Sequence, residues 1–360
     1  MSASVAPASV SELIEAVRSH PRVLAVGAGT KPRLSQTSAI RISTVRLQGI
    51  TEYEPSEFTF TALAGTPVRD LAATLASRGQ YLPFDPFLPE AGATLGGTAA
   101  AGLSGPGRAR FGGLKDFILG VRFVDGLGRL LRMGGKVVKN AAGFDLPKFF
   151  VGSLGRFGAL VELTFKVFPA PSSTLTLKLA ARDIESASRI LMQAATGRWE
   201  LDALDILPAS YEVCVRLAGP APALEQIAKE VLGRWPGEKL TEHDATRLWS
   251  DLREFRWGCT EGALVKVALT AADLPALYGV LQKLDRVQVH VSSGGNMAFI
   301  SLPAADQVAR LTEGLRGLAL PAIALRGEAP LWCGAQSRPG IIRAVKQALD
   351  PENHFPGLDE

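Results

Sequence analysis

Between Ala93 and Gly113 the sequence reads ATLGGTAAAGLSGPGRARFGG, a run of small residues with hardly a bulky side chain. Such a run brings little apolar area to a core, and every glycine in it costs chain entropy on folding. Something must therefore come close enough to this backbone that side chains have been cleared away. Two further segments carry closely spaced glycines. VGAGTK (26–31) closes the strand-like RVLAVG, and GFDLPKFFVGSLGRFGALVELTF (143–165) follows some thirty residues after the long loop.

Taken singly, none of these segments matches a nucleotide fingerprint. VGAGTK begins like a Rossmann turn, but Pro32 interrupts the helix that should follow. Its Gly-Ala-Gly-Thr turn can still point consecutive N–H groups at one anion, with Thr30 and Lys31 adding donors. RMGGKVVKN is not a Walker loop, because Val137 follows Lys136 where Ser or Thr should hold magnesium. HExxH and GxSxG are absent, and His20, His243, His290 and His354 are not at ligand spacing, so neither a zinc site nor a hydrolase elbow is expected. Together, the three segments suit one extended ligand, with a diphosphate on backbone amides and a flat ring along a loop without side chains. FAD fits that description better than ATP or NAD, which need one such loop.

The rest of the chain reads as two folded parts. Ser9-Val-Ser-Glu12 is a capping box opening a helix with Val10, Leu13, Ile14 and Val17 on one face. RVLAVG, STVRLQGI and FTFTALAG read as strands, PVRDLAATLASRG as a helix, and DFILGVRFVDGLGRLLRMG as a hairpin turning at DGLG. LPFDP is a rigid extended loop, and PAPSS (169–173) marks a boundary. Beyond it come two successive β-α-β-β-α patterns, from Leu175 and from Ala263, which predict antiparallel sheet with helices on one face. RPGIIRAVKQALDPENHFPG predicts an amphipathic helix with a proline-punctuated tail.

Composition narrows the class. The 360 residues are 47% hydrophobic and 21% charged, with net charge +4 but no basic run, so nucleic-acid binding is not expected. No signal peptide or membrane-spanning run is evident, and Cys214, Cys259 and Cys333 form no CxxC. A reducing cytoplasm is the expected setting, with at most peripheral contact at the inner membrane face.

GAGTKP, YEPSEFTFTALAGTPVRDLAATLASRGQYLPFDP, ATLGGTAAAGLSGPGRARFGGLKDFILGVRFVDGLGRLL and KNAAGFDLPKFFVGSLGRFGALVELTFKVFP occur in that order. Together they resemble the FAD-binding domain of the vanillyl-alcohol-oxidase/p-cresol-methylhydroxylase (PCMH) type. More closely, they are similar to the smaller FAD-binding subunit of bacterial glycolate oxidases, whose DP…NPG ending ALDPENHFPG also resembles. The resemblance implies an α+β fold: a two-subdomain PCMH-type FAD-binding domain over 1–172, an α+β antiparallel-sheet cap over 173–330, and a segment, 331–360, returning to the FAD domain.

As cofactor-binding residues it implies Val26, Gly27, Ala28, Gly29, Thr30 and Lys31 at the diphosphate turn. Pro86, Ala93, Thr94, Gly96, Gly97, Ala100, Ser104 and Gly105 would lie along the diphosphate and flavin ring. Arg110, Gly112 and Asp116 would shape the loop beyond the ring, and Gly158, Ala159 and Leu160 would face the adenine side. A Gly96→Leu change is expected to lose flavin more than stability. No histidine or cysteine lies in the turn or flavin loop, so FAD is expected to be non-covalent.

Leu154 and Arg156 stand where relatives often have Glu and Thr. VQVHVSSGGNMAF holds His290 alone, where catalytic relatives carry a metal-binding histidine cluster, so no metal and no catalytic side chain is assigned. Arg253, Arg256, Lys266 and Arg326 are candidates for a small carboxylate, against a reading as a solvated face. Trp249 and Trp257, on HDATRLWSDLREFRW, read as core packing.

The function implied is that of an FAD-binding subunit in oxidation of glycolate, a 2-hydroxy acid, to glyoxylate. The expected partners are a larger FAD-binding catalytic subunit and an iron–sulfur subunit. The alternatives are a stand-alone FAD-dependent 2-hydroxyacid dehydrogenase and a non-catalytic, FAD-stabilised assembly subunit.

Overall fold

The structure is a computed structural model that describes residues 4–135, 145–336 and 340–360. Lys136 and Val137 of the Walker-like segment lie outside the described residues. The chain divides into two compact units: Met1–Ser104, Gly113–Ala170 and Ser337–Glu360 form the first, and Gly105–Gly112 with Pro171–Gln336 form the second. The end of the small-residue run therefore belongs to the second unit, as do residues 331–336.

In the first unit, β1 (Ser4–Val5), β2 (Val23–Val26) and β3 (Ile40–Ser43) make a parallel sheet in the order β1-β3-β2. Helix α1 (Val10–Ser19) opens where Ser9 Oγ accepts from Glu12 N–H, while Glu12 Oε2 accepts from Ala8 N–H. Its buried stripe of Leu13, Ala16 and Val17 packs with Val23, Ile42, Val124, Val161 and Phe355. A five-stranded antiparallel sheet runs β4-β5-β9-β7-β8, built from β4 (Ile50–Glu54), β5 (Thr59–Leu63), β7 (Ile118–Val124), β8 (Leu130–Gly134) and β9 (Ala159–Lys166). The short β6 (Gln80–Tyr81) pairs with β10 (Phe168–Pro169). Helices α2 (Val68–Ala76), α3 (Leu95–Ala101), α5 (Leu146–Phe149) and α11 (Gly340–Leu349) complete the unit.

STVRLQGI, read as a strand, is instead the link between β3 and β4. Gly65 packs its Cα against this link so closely that a Cβ there would stand 1.9 Å from Thr44 O. Leu47 N–H donates to Thr44 O and Gly65 N–H to Leu47 O, so these groups serve a turn and not a ladder.

The second unit is one eight-stranded antiparallel sheet in the order β14-β11-β13-β12-β16-β17-β15-β18. Its first half is β11 (Ser173–Leu179), α6 (Ile184–Ala195), β12 (Ala203–Ile206), β13 (Val213–Gly219), α7 (Ala221–Arg234) and β14 (Gly237–Lys239). The second is β15 (Ala263–Ala268), α9 (Leu274–Leu281), β16 (Gln288–Ser292), β17 (Met297–Leu302), α10 (Ala305–Gly317) and β18 (Ala322–Arg326). The halves run in mirrored strand order and join where Ile206 pairs with Val291. Period-2 alternation sends Val215, Val265, Val267, Val289 and Ile300 into the core shared with all four helices.

The neighbouring residues on each strand face the other way. There α8 (Glu242–Arg253) lays Trp249 and Leu252 on Ala203, Leu207 and Cys214. The Trp249 Nε1–H donates to Thr176 Oγ1 at 3.0 Å, which makes Trp249 a packing residue with its polar atom satisfied. A short helix, α4 (Arg108–Phe111), also belongs to this unit.

Candidate functional site

After β2 the chain turns through residues 27–31. Gly29 takes φ +71°, a conformation that favours glycine, and the space where its Cβ would stand is empty to 4 Å. Among the described residues, the N–H groups of Ala28, Gly29 and Thr30 meet no protein acceptor, and Ala28 and Gly29 are exposed. Pro32 begins a 3-10 turn (Pro32–Ser35) where a Rossmann helix would run. The Lys31 ammonium is held nearby, donating to Thr30 Oγ1 at 3.0 Å. A turn of outward N–H groups backed by one cation is a site for anionic oxygen.

The far wall of this recess comes from α3. Val26, Gly27, Ala28, Gly29, Thr30 and Lys31 share one cavity with Thr94, Gly97 and Ala100, and with Leu24, Ala25, Leu34, Ser35, Ala101 and Leu154. An adjoining cavity brings Gly96, Gly158 and Leu160 to Ala25, Val26, Gly27, Gly97 and Ala100, with Thr44, Ala64 and Gly155. Gly27 is required by this packing, because a Cβ on it would lie 2.2 Å from Thr94 Oγ1.

The amides of α3 itself are spent. Leu95 N–H donates to Thr66 O, Gly96 N–H to Ala64 O, Gly97 N–H to Thr94 Oγ1 and Thr98 N–H to Thr94 O. Nor is Gly96 cleared for a ligand alone, since a Cβ there would stand 2.7 Å from Ala64 Cβ. At Gly102 it would stand 2.9 Å from Gly152 Cα. Part of the small-residue run is thus cleared for its own protein neighbours. A larger residue at Gly96 would crowd the turn after β5, so Gly96→Leu carries a stability cost beside any loss of flavin.

Arg156 ties the recess together. It is fully buried, donating from Nη1 to Leu154 O at 2.8 Å and from Nη2 to Leu34 O at 3.2 Å and Glu360 O at 2.7 Å. Burial lowers its pKa to about 10; the Glu360 carboxylate opposes that shift and Arg33 adds to it. Two walls of the recess and the tail are thereby fixed to one guanidinium. The tail is held further by Lys346 Nζ, which donates to the carbonyls of Arg156, Phe355 and Pro356.

The other expected residues are not in these cavities. Pro86 is buried in its loop, and Ala93 spends its N–H on Leu88 O and its carbonyl on Val68 N–H. Ser104 Oγ accepts from Leu114 N–H, Asp116 Oδ2 from Gly113 N–H, and Ala159 belongs to the core beneath α1. Gly105, Arg110 and Gly112 belong to the second unit, where Arg110 pairs with the Glu200 carboxylate and Gly105 O accepts from Ser293 Oγ. Leu34, Ser35, Thr44 and Ala64 carried no signal in the sequence, whereas Leu154 and Gly155 lie inside the glycine-rich VGSLGRFG already singled out.

In the second unit Arg256 pairs with Asp251, Arg326 donates to Cys259 O and Arg253 to Trp249 O. His290 is fully buried, with Nε2 2.8 Å from Asp205 Oδ2. No metal-binding cluster of His, Cys, Asp and Glu occurs among the described residues.

Comparison with known proteins gives this geometry a context. A family model described as FAD binding domain matches residues 1–134. The chain is 34% identical to glycolate oxidase subunit GlcE of Escherichia coli, over 89% of this chain and 86% of that protein. It is 29% identical to glycolate oxidase subunit GlcD of Bacillus subtilis over 45% of this chain and 33% of that one, and 30% identical to a D-lactate dehydrogenase of Anaerostipes hadrus over 41% and 30%. Among solved structures, alkyldihydroxyacetonephosphate synthase superposes with a TM-score of 0.72 at 16% identity, covering 98% of this chain and 76% of that one, which shows the fold alone.

Proposed function

The chain belongs to the family of glycolate oxidase subunit GlcE, and from that premise we propose that its 27–31 turn holds the diphosphate of FAD. The protein is an FAD-dependent oxidoreductase subunit of the class that oxidises 2-hydroxy acids, with a PCMH-type FAD-binding fold of α+β construction. The observation that carries the site is the run of unpartnered N–H groups at Ala28, Gly29 and Thr30, beside an open Gly29 and a buried Lys31.

In this reading the three amides orient the phosphate oxygens and Lys31 offsets their charge. Gly97 and Ala100 offer a wall without protruding side chains, and Leu34 and Leu154, clamped by Arg156, close the opposite side against water. Gly96, Gly158 and Leu160 shape the adjoining recess. FAD, held by these residues, would supply the electron-accepting chemistry that the complex needs for oxidation of a 2-hydroxy acid. The cofactor is non-covalent, since neither the turn nor the 93–105 loop offers a histidine or cysteine.

As a glycolate oxidase subunit, the chain works with partner subunits. We assign these as a larger FAD-binding catalytic subunit and an iron–sulfur subunit that takes electrons onward, in the cytoplasm. No helix among the described residues is long and apolar enough to cross a membrane. The division into an FAD-binding part (1–172), a cap (173–330) and a returning segment (331–360) belongs to the same reading, with Gly105–Gly112 and residues 331–336 joining the cap.

The test is the visible spectrum of the purified chain during anaerobic addition of glycolate. A dissociable flavin band that persists until the partner subunit is added supports a subunit role. A band that bleaches in the isolated chain makes it a stand-alone dehydrogenase, and a chain that takes up no flavin overturns the reading.

A further inference from the structure

Residues 350–360 hold no helix or strand, yet they are fastened to the elements that carry the recess. His354 O accepts from Val23 N–H at 2.8 Å, where β2 sets out toward the 27–31 turn. Glu360 O accepts from Arg156 Nη2 at 2.7 Å, and both oxygens of the Glu360 carboxylate accept from Arg22 Nη2, at 2.7 and 2.8 Å. Between these ends Asp350 and Phe355 are fully buried, and Asp350 accepts from the N–H groups of His354 and Phe355 at 2.8 and 3.0 Å. A segment without a ladder of its own takes its order from what it is fastened to.

The guanidinium that receives Glu360 O also reaches both walls of the recess. Nη1 donates to Leu154 O and Nη2 to Leu34 O, and Leu34 and Leu154 line one cavity with the 27–31 turn. Leu154 takes φ +54°, a left-handed conformation that a leucine keeps only where its surroundings hold it. Its N–H donates to Ala100 O at 2.9 Å, and its carbonyl is held by Arg156. Among the described residues, the hydrogen-bond partners of this fully buried guanidinium are three backbone carbonyls, and one of the three belongs to the 350–360 segment. Lifting the segment leaves a buried cation short of an acceptor, and the loss falls on Leu34 and Leu154.

We propose that residues 350–360 are a strap linked to the cofactor: fastened, the strap keeps the two walls of the recess in place, and FAD in the recess keeps the strap fastened. The inference rests on the reading of the recess as the diphosphate site of FAD. Linkage makes the two effects equal, so the factor that release of the strap takes from FAD affinity is the factor by which FAD resists that release. Arg156 is a positioning residue in this device, acting through Leu34 and Leu154.

The experiment is amide hydrogen exchange of the full chain with and without FAD, paired with fluorescence titration of FAD. In wild type, saturating FAD is expected to slow the His354 and Phe355 amides at least about tenfold. Two substitutions outside the recess loosen the strap. Lys346→Met removes the ammonium that holds the carbonyls of Phe355 and Pro356, and should weaken FAD binding about tenfold. Arg22→Met removes the exposed ion pair with Glu360 and should weaken it about threefold, which keeps the test intact if Lys346→Met does not fold. A merely structural tail predicts lower thermal midpoints with FAD affinity unchanged in the variants, and that result overturns the strap. Equal exchange at His354 and Phe355 with and without FAD also overturns it, as does an equal slowing of the α1 amides, the mark of global stabilisation. Failure of the wild type to take up FAD shows separately, in its visible spectrum, and overturns the cofactor reading and the linkage with it.

Discussion

The 27–31 turn and the α3 helix are made of the same kinds of residue and face one recess, yet they spend their backbones differently. At Ala28, Gly29 and Thr30 the N–H groups are free and the space beside Gly29 is empty. At Leu95, Gly96, Gly97 and Thr98 every N–H is taken, and the missing Cβ of Gly96 makes room for Ala64. Small residues therefore mark a close approach without saying what approaches. The free hydrogen-bonding capacity, and not the glycine count, separates the ligand-facing turn from the packing helix.

The comparison is broken most forcefully at Gly96. Gly96→Leu should cost about 3 kcal/mol through overpacking against Ala64, measured as a lower thermal midpoint for the chain without FAD. A variant that keeps its midpoint and loses only flavin would return Gly96 to the ligand-facing class. Arg156→Met comes next, leaving Leu34 O, Leu154 O and Glu360 O without their donor at a cost of about 2 kcal/mol. Limited proteolysis should then cut the tail sooner, and FAD should bind more weakly because two walls of the recess are no longer tied.

Gly29→Val reverses the balance seen at Gly96. The left-handed φ costs a β-branched residue about 1–2 kcal/mol of stability. The side chain also enters the space in front of the free amides, so FAD affinity should fall at least about tenfold by fluorescence titration. An unchanged affinity would remove the turn from the site. The smallest effect is expected at Thr94→Ala, where loss of the helix cap costs about 1 kcal/mol in urea unfolding, and Thr94→Ser should restore it.

Much of the fold was legible in the sequence for simple reasons. Period-2 alternation in ALVKVAL and VQVHV foretold strands with one buried face, and S-x-x-E foretold the start of α1. STVRLQGI was misread because its residues suit a strand; the close approach of Gly65, distant in sequence, bends it into a turn. For the candidate site, the 26–31 turn and the glycines near 158 were legible as motifs. Leu34, Thr44 and Ala64 were not, since ordinary residues reach the recess only by the path of the chain. Arg110, expected in the loop beyond the flavin ring, pairs in the fold with Glu200 of the second unit, a partner ninety residues on that no motif signals.

By itself, then, the sequence determined the α+β class, the two successive β-α-β-β-α patterns and the order of glycine-rich segments that places the chain among FAD-binding 2-hydroxy-acid oxidoreductases. These properties follow from local periodicity and motif order, which folding preserves. Only the tertiary structure decided which glycines serve a ligand and which serve a neighbour, that Arg156 and Lys346 hold the tail, and that His290 is buried against Asp205. Those are questions of which hydrogen-bonding groups and charges remain uncompensated, and the answer depends on partners far away in the chain.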